Sequence, residues 1–303
     1  REGLRTELIP LAAGDPMTVK GLIQARYALG GLLHVVLVGD HAEIPSYVWN
    51  GIASDAWYAC LTGAPLPDLY PDVGLGRLSG STPQEIGRQV DRILAYETQP
   101  PPGGWCERAL LVAHQENGAA GAFSVNCEKI AAGPLGLSGW SIVKQYGHLP
   151  GVDNFSLAGL IDSGAGLVLY RGHGGPTEWA GWCPAGSFAI QHVAGLKNGP
   201  MTPVVLSIGC LTGQIAQPLC FGEAWLRAAG GAVAALGATD TTYTQGNDPF
   251  ALEMSRALFQ DRTANLYGFY ASGLLEALKA GHPAGTAAAA SFCWLGESEE
   301  HTS

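Results

Sequence analysis

Five short apolar runs, each closed by a small or polar residue, punctuate the chain. They are Leu32–Val38 (LLHVVLV), Ala109–Ala113 (ALLVA), Gly166–Tyr170 (GLVLY), Pro203–Ile208 (PVVLSI) and Gly231–Leu236 (GAVAAL). Near-continuous apolarity over so few residues predicts strands buried on both faces, the pattern of a parallel sheet. Between them lie segments of helical spacing. Pro83–Tyr96 opens on Ser81-Thr82-Pro83, a capping hydroxyl followed by a first-turn proline. Its Ile86, Val90, Ile93 and Leu94 recur at three- and four-residue steps and predict one buried stripe. Cys220–Ala229 and Ala251–Phe259 carry similar patterns, and Ala287–Ala290 fits a helix. Alternating strands and helices predict an α/β fold, a three-layer α/β/α sandwich around a mostly parallel sheet.

Prolines at 100, 101 and 102, followed by Gly103-Gly104, allow neither helix nor strand to continue. This punctuation divides the chain into a smaller N-terminal α/β subdomain, 1–99, and a larger one, 100–303. Composition supports a well-buried protein: 47% of the 303 residues are hydrophobic and 14% charged. The 43 glycines suit an α/β protein with short connections. Net charge is −10 and the Lys and Arg residues are scattered, which argues against a phosphate-tracking surface and so against nucleic acid as a partner. No apolar run approaches the ~18 residues of a membrane-spanning helix. The opening Arg1-Glu2-Gly3 is no signal peptide, and an excised mature segment would begin the same way.

Seven cysteines are widely spaced, without CxxC or zinc-ligand spacing, and an odd number leaves at least one thiol free if the others pair. Neither GxGxxG nor GxxxxGK[ST] follows a strand, which argues against a nucleotide site. Two strands instead run into reactive chemistry. LVLY (167–170) leads into Arg171-Gly172-His173-Gly174-Gly175, and VVLSI (204–208) into Gly209-Cys210. Carboxyl ends of parallel strands are where ligand crevices form, so neighbouring strands would bring an imidazole and a thiol to one rim. Glycines at 172, 174, 175 and 209 leave the backbone open to a passing substrate chain. The imidazole can take the thiol's proton and later return it to a leaving amine. Backbone N–H groups of Gly174 and Cys210 would hold the oxyanion. A strand-end cysteine alone reads more often as a small buried hydrophobe. The order of the two residues weakens that reading, and spacing alone does not decide it.

At these residues the sequence resembles the gingipain family of cysteine peptidases, whose catalytic domain is caspase-like. LVLYRGHGG and VVLSIGC match the clan's pattern of apolar strand then His-Gly, and apolar strand then Cys. The likeness extends through VVLVGDHAEIPS (35–46), the segment from Ser54 to Glu97, LCFGEAWLRA (219–228), GGAVAALGAT (230–239) and DPFALEMSRAL (248–258), about residues 30–295 in all. It implies a caspase-like catalytic subdomain and a cysteine endopeptidase acting on peptide or protein substrates through a thioester acyl-enzyme. Cys210 would be the nucleophile, His173 the base, and Glu116 in LLVAHQENG the carboxylate that orients the histidine. It also implies a bacterial, exported protein made with a pro-segment. No cofactor is required by this chemistry. Family members bind structural calcium, for which Asp68, Asp72, Asp153, Asp240 and Asp248 are loop acids without EF-hand spacing.

One departure bears on substrate choice. Arginine-specific gingipains carry a pocket aspartate shortly after the glutamate, whereas GAAGAFSVNCEK (118–129) has Ser124 or Val125 nearest that place. An uncharged pocket gives a guanidinium no partner. The loop Thr239–Gln245 matches one lining the same pocket, so Ser124, Asp240, Tyr243 and Thr244 are the candidate substrate-binding residues, with Asp240 the alternative source of charge. FCWLGESEEHTS follows the family's ending only loosely and predicts an altered last strand. A catalytically inactive peptide- or partner-binding relative, and an acyl-transferring relative that joins peptides, are the competing expectations.

Overall fold

The computed structural model describes residues 5–11, 14–62, 69–263, 265–279 and 281–296. At its centre lies an eight-stranded sheet. From edge to edge its strands are His34–Val38, Gly74–Leu78, Phe292–Leu295, Ala234–Ala238, Val204–Ile208, Leu167–Arg171, Arg108–Ala113 and Ser141–Tyr146. Every neighbouring pair is parallel except Phe292–Leu295 against Ala234–Ala238. All five predicted strands are present, with boundaries moved by up to three residues. The altered ending is a strand too. Phe292–Leu295 runs antiparallel to one neighbour and meets the other through Leu295 opposite Arg77.

Alternate residues of each central strand enter different cores, which is why these sequences read as unbroken apolar runs. Leu111, Leu169 and Leu206 face helices Ala122–Ala132, Thr244–Phe259 and Leu266–Lys279 through Phe123, Phe250 and Phe269. Leu110, Val168 and Val205 face helices Asn154–Asp162 and Phe221–Arg227 through Leu157 and Trp225. The result is the three-layer sandwich expected of the pattern.

Helix Pro83–Thr98 forms where predicted, capped by Thr82, whose Oγ1 accepts from Glu85 N at 3.3 Å. Its stripe differs from the expected one. Ile93 is buried, but Val90 is 38% exposed and Leu94 52%. The inward line is Ile86, Gln89 and Ile93, and Gln89 is accommodated because its Nε2 donates to Ser79 O at 2.7 Å. Arg92 also turns to protein, donating to the carbonyls of Leu226 (3.0 Å) and Ala232 (2.8 Å). Two long polar side chains displace Val90 and Leu94 from the packed face.

A buried ion pair ties the edge of the sheet together. Arg77 and Asp55 have side-chain exposures of 0% and 2%, and Arg77 Nε and Nη2 reach the two Asp55 oxygens at 2.7 and 2.8 Å. The remaining donors go to the carbonyls of Gly39 (2.9 Å), Asp40 (3.1 Å) and Ile44 (2.9 Å). Ser46 Oγ adds a 2.6 Å hydrogen bond to Asp55. One side chain of strand Gly74–Leu78 thereby shapes the whole loop after strand His34–Val38.

Candidate active site

Register fixes the rim. Strand Leu167–Arg171 lies between Arg108–Ala113 and Val204–Ile208, with Arg171 level with both Ala113 and Ile208. One residue on come His114, Gly172 and Gly209, and two on from Arg171 and Ile208 come His173 and Cys210. The turn is too tight for side chains. A Cβ at Gly172 would lie 2.2 Å from Tyr170 Oη and 2.6 Å from His114 Cβ, and one at Gly209 2.7 Å from Gly172 O. At Gly174 it would meet Cys210 O at 2.3 Å. The expectation that these glycines leave room for a substrate backbone is therefore corrected at three positions: the protein's own atoms fill the space, side chains of Tyr170 and His114 at Gly172 and main chain at Gly174 and Gly209. Only at Gly175 would a Cβ meet nothing closer than Glu178 Cγ at 3.5 Å.

The histidine turn is pinned by its own carbonyl. His173 O accepts from Tyr170 Oη at 2.7 Å and from Ala180 N at 2.9 Å. Tyr170 stacks on Trp179 at 4.4 Å and 11°, and Trp179 Nε1 donates to Ser207 Oγ at 2.7 Å on the neighbouring strand. Burial holds the Tyr170 phenol far above its ordinary value, so it stays a neutral donor. The His173 ring itself is exposed and touches His114 at 4.8 Å and Phe123 at 5.1 Å.

Cys210 is half-buried, and one residue cradles its sulfur. Sγ donates to Thr242 O at 3.4 Å and accepts from Thr242 N at 3.5 Å. Leu211, the next residue, has φ +62°, a left-handed conformation that costs a side-chain-bearing residue energy. Its N–H donates to Asp240 O at 3.2 Å. The loop Thr239–Gln245 therefore holds the Cys210 turn from both sides. Thr242 is held in turn by Asn247 Nδ2, which donates to its hydroxyl at 2.9 Å.

The other sequence-derived candidates fall around this rim with partners of their own. Glu116 pairs with Ala119 through two 3.2 Å backbone hydrogen bonds, and its Oε2 accepts from Phe123 N at 3.3 Å. Its carboxylate lies so close over Gly121 that a Cβ there would sit 1.7 Å from Oε2. That places the charge over the first turn of helix Ala122–Ala132, where the helix dipole favours an anion. Among the described residues no hydrogen bond joins Glu116 to His173; Phe123 meets the one through its N–H and the other through its ring. Ser124 is 3% exposed, and its hydroxyl accepts from Gly121 N at 3.1 Å. Asp240 caps its own loop, accepting from Thr241 N at 2.5 Å. Tyr243 is 53% exposed at the N-cap of helix Thr244–Phe259, and Thr244 is the first residue of that helix.

The sequence profile of peptidase family C25 matches residues 11–298. The chain belongs to that family. It is 31% identical over 240 residues to gingipain R2 of Porphyromonas gingivalis, covering 75% of this chain and 31% of that protein. Lys-gingipain of the same organism is 28% identical over 245 residues, covering 75% and 13%. The chain thus spans about a third of the first relative's length and less of the second's. Its fold superposes on the crystal structure of the Arg-specific cysteine proteinase gingipain R with a TM-score of 0.84 and 25% identity, covering 95% of this chain and 68% of that one.

The described loop acids of this C25 chain each have a protein partner. Asp72 accepts from Leu61 N (2.5 Å) and Thr62 N (2.8 Å), and Asp153 caps helix Asn154–Asp162 through Ser156 N at 2.7 Å. Asp248 pairs with the buried Arg171, Asp240 caps its loop, and Asp68 lies outside the described residues. Among the described residues no three or more His, Cys, Asp or Glu converge as metal ligands.

Sequence reasoning passed over His114, Phe123 and Thr242, all within quoted segments. All seven cysteines are free thiols, and of these only Cys106 and Cys210 are not buried. His114 has a buried Nδ1 without a hydrogen-bond partner, and burial, then the neighbouring His173, lower it from 6.5 to about 4. Between these values the unfolded chain takes up a proton that the folded chain refuses, so this residue costs stability as pH falls through 6.5 toward 4, and the loss is complete below 4. His114→Phe is expected to lose less melting temperature than wild type over that interval. Parallel melting curves against pH would refute it.

Proposed function

We propose that this C25 chain is a cysteine endopeptidase in which Cys210 is the nucleophile and His173 the general base and acid. The supporting observation is the register that carries both residues two positions past paired strand ends, onto one rim. With its proton passed to His173, the Cys210 sulfur attacks the scissile carbonyl carbon. The carbonyl oxygen takes up negative charge between the N–H groups of Gly174 and Cys210. These amides are neighbours, since a Cβ on Gly174 would lie 3.3 Å from Cys210 N. Collapse of the intermediate breaks the C–N bond, His173 protonates the departing amine, and a thioester remains. Water, deprotonated by His173, then attacks the thioester, the acid product leaves, and the thiol regains its proton.

In this reading Glu116 acts one step removed, holding the Phe123 backbone whose ring packs on His173. The substrate pocket is bounded by Ser124, Asp240, Tyr243 and Thr244. Ser124 is committed to its helix and the Asp240 carboxylate to its own loop. Asp240 carries the one carboxylate among these four residues and one of its oxygens is already held by Thr241 N, from which we infer a preference for uncharged P1 residues.

A peptide carrying a thiol-directed electrophile tests the assignment. At neutral pH it should modify Cys210 and spare Cys106, the other accessible thiol, and His173→Ala should slow the modification by about 10²-fold or more. Equal modification of both thiols, or none at Cys210, would remove the assignment.

A further inference from the structure

We propose that His114 is a positioning residue whose ring, packed edge-to-face with Phe123, holds the His173 imidazole in its working orientation toward Cys210. This rests on the reading of His173 as the base. The three rings stand nearly perpendicular to one another: His114–His173 at 4.8 Å and 81°, Phe123–His173 at 5.1 Å and 84°, His114–Phe123 at 5.8 Å and 78°. Edge-to-face geometry is the favoured aromatic arrangement, and two such contacts restrict rotation about both side-chain torsions of His173.

Such a clamp has work to do here. The anchors on His173 reach its main chain through its carbonyl oxygen and leave the ring free to turn. The exposed ring has no carboxylate hydrogen-bonded to it among the described residues, although a carboxylate commonly fixes a catalytic imidazole. The His114 main chain is fixed by its N–H, which donates to Arg171 O at 2.9 Å in continuation of the sheet, and its half-buried ring has Nδ1 enclosed by protein. Its approach to the histidine turn depends on the missing side chain at Gly172. Phe123 is fixed from the other side. Its N–H is held by Glu116, and the buried Arg171 guanidinium lies 5.6 Å from its ring. Burial keeps His114 neutral, so it sets no second positive charge against the imidazolium that forms on His173.

The test is steady-state hydrolysis of a fluorogenic peptide by wild type, His114→Leu, His114→Phe and Cys210→Ala, each shown folded by circular dichroism. Leucine fills the space without a ring; phenylalanine restores the ring. His114→Leu should lower kcat about tenfold or more with KM within about twofold, and His114→Phe should recover at least half of the wild-type kcat. Full kcat in folded His114→Leu overturns the proposal, as does a folded His114→Phe no faster than His114→Leu. Hydrolysis by Cys210→Ala would instead overturn the dyad itself, so the two failures are distinct.

Discussion

Cys210→Ala should yield a folded protein whose peptide hydrolysis falls by roughly 10⁴-fold or more. The expected drop is large because, in the proposed mechanism, the sulfur is the bond-forming atom. Ser207, on the same strand, is 2% exposed, and its hydroxyl accepts from Trp179 Nε1. The fold should survive because the sulfur's partners are the backbone atoms of Thr242, at 3.4 and 3.5 Å. Losing these weak contacts from a half-buried position costs about 1 kcal/mol or less. Hydrolysis of a mixed peptide library, read by mass spectrometry beside a thermal melt, separates lost chemistry from lost fold. Wild-type cleavage by the variant would end the assignment. The same library reports P1 directly, and a dominant cut after arginine would overturn the inference of an uncharged pocket.

Asp55→Ala should cost roughly 3–5 kcal/mol of stability, the range for removing one partner of a buried ion pair. Arg77 is fully enclosed, and among the described residues its bidentate partner supplies the only negative charge bonded to it. Truncation leaves a guanidinium in the interior facing carbonyls that can orient it without neutralising it. Ser46 Oγ loses its partner as well. Chemical denaturation measures the effect. Activity per folded molecule should be unchanged, because the pair sits among the loop after His34–Val38 and the strand Gly74–Leu78. A loss below about 1 kcal/mol, the range of an exposed pair, would contradict the burial described here.

The strands that lead to His173 and Cys210 were legible because they are buried on both faces, and unbroken apolar sequence is a strong signal. Gly74–Leu78 was missed because GLGRL hides an arginine whose charge is answered by Asp55, far away in sequence. Ser141–Tyr146 lies at the sheet's edge and mixes Lys144 and Gln145 with its apolar residues. The stripe on Pro83–Thr98 failed for a related reason: Gln89 and Arg92 find carbonyls in tertiary contact, which periodicity does not anticipate. The family resemblance pointed to Cys210 and His173 through local motifs. The supports of the two residues were invisible to it. Thr242 meets the sulfur, and His114 meets His173, only once separate strand ends are brought level. Gly172, Gly174 and Gly209 were noticed and given the wrong purpose, since only the folded turn shows what occupies the space beside them.

The strand Phe292–Leu295 joins the pair His34–Val38 and Gly74–Leu78 to the rest of the sheet, yet it comes after every other strand of that sheet in the chain. On the ribosome, the two earliest strands therefore wait unpaired with the main sheet until almost all the described residues have been translated. Contacts of such long sequence separation form slowly and late. The same strand backs Ala234–Ala238, whose extension is the loop that cradles Cys210. A nascent chain ending before Phe292 would thus carry Cys210 and His173 without the support behind the Cys210 cradle, and completion of that support would wait for Phe292–Leu295 to leave the ribosome.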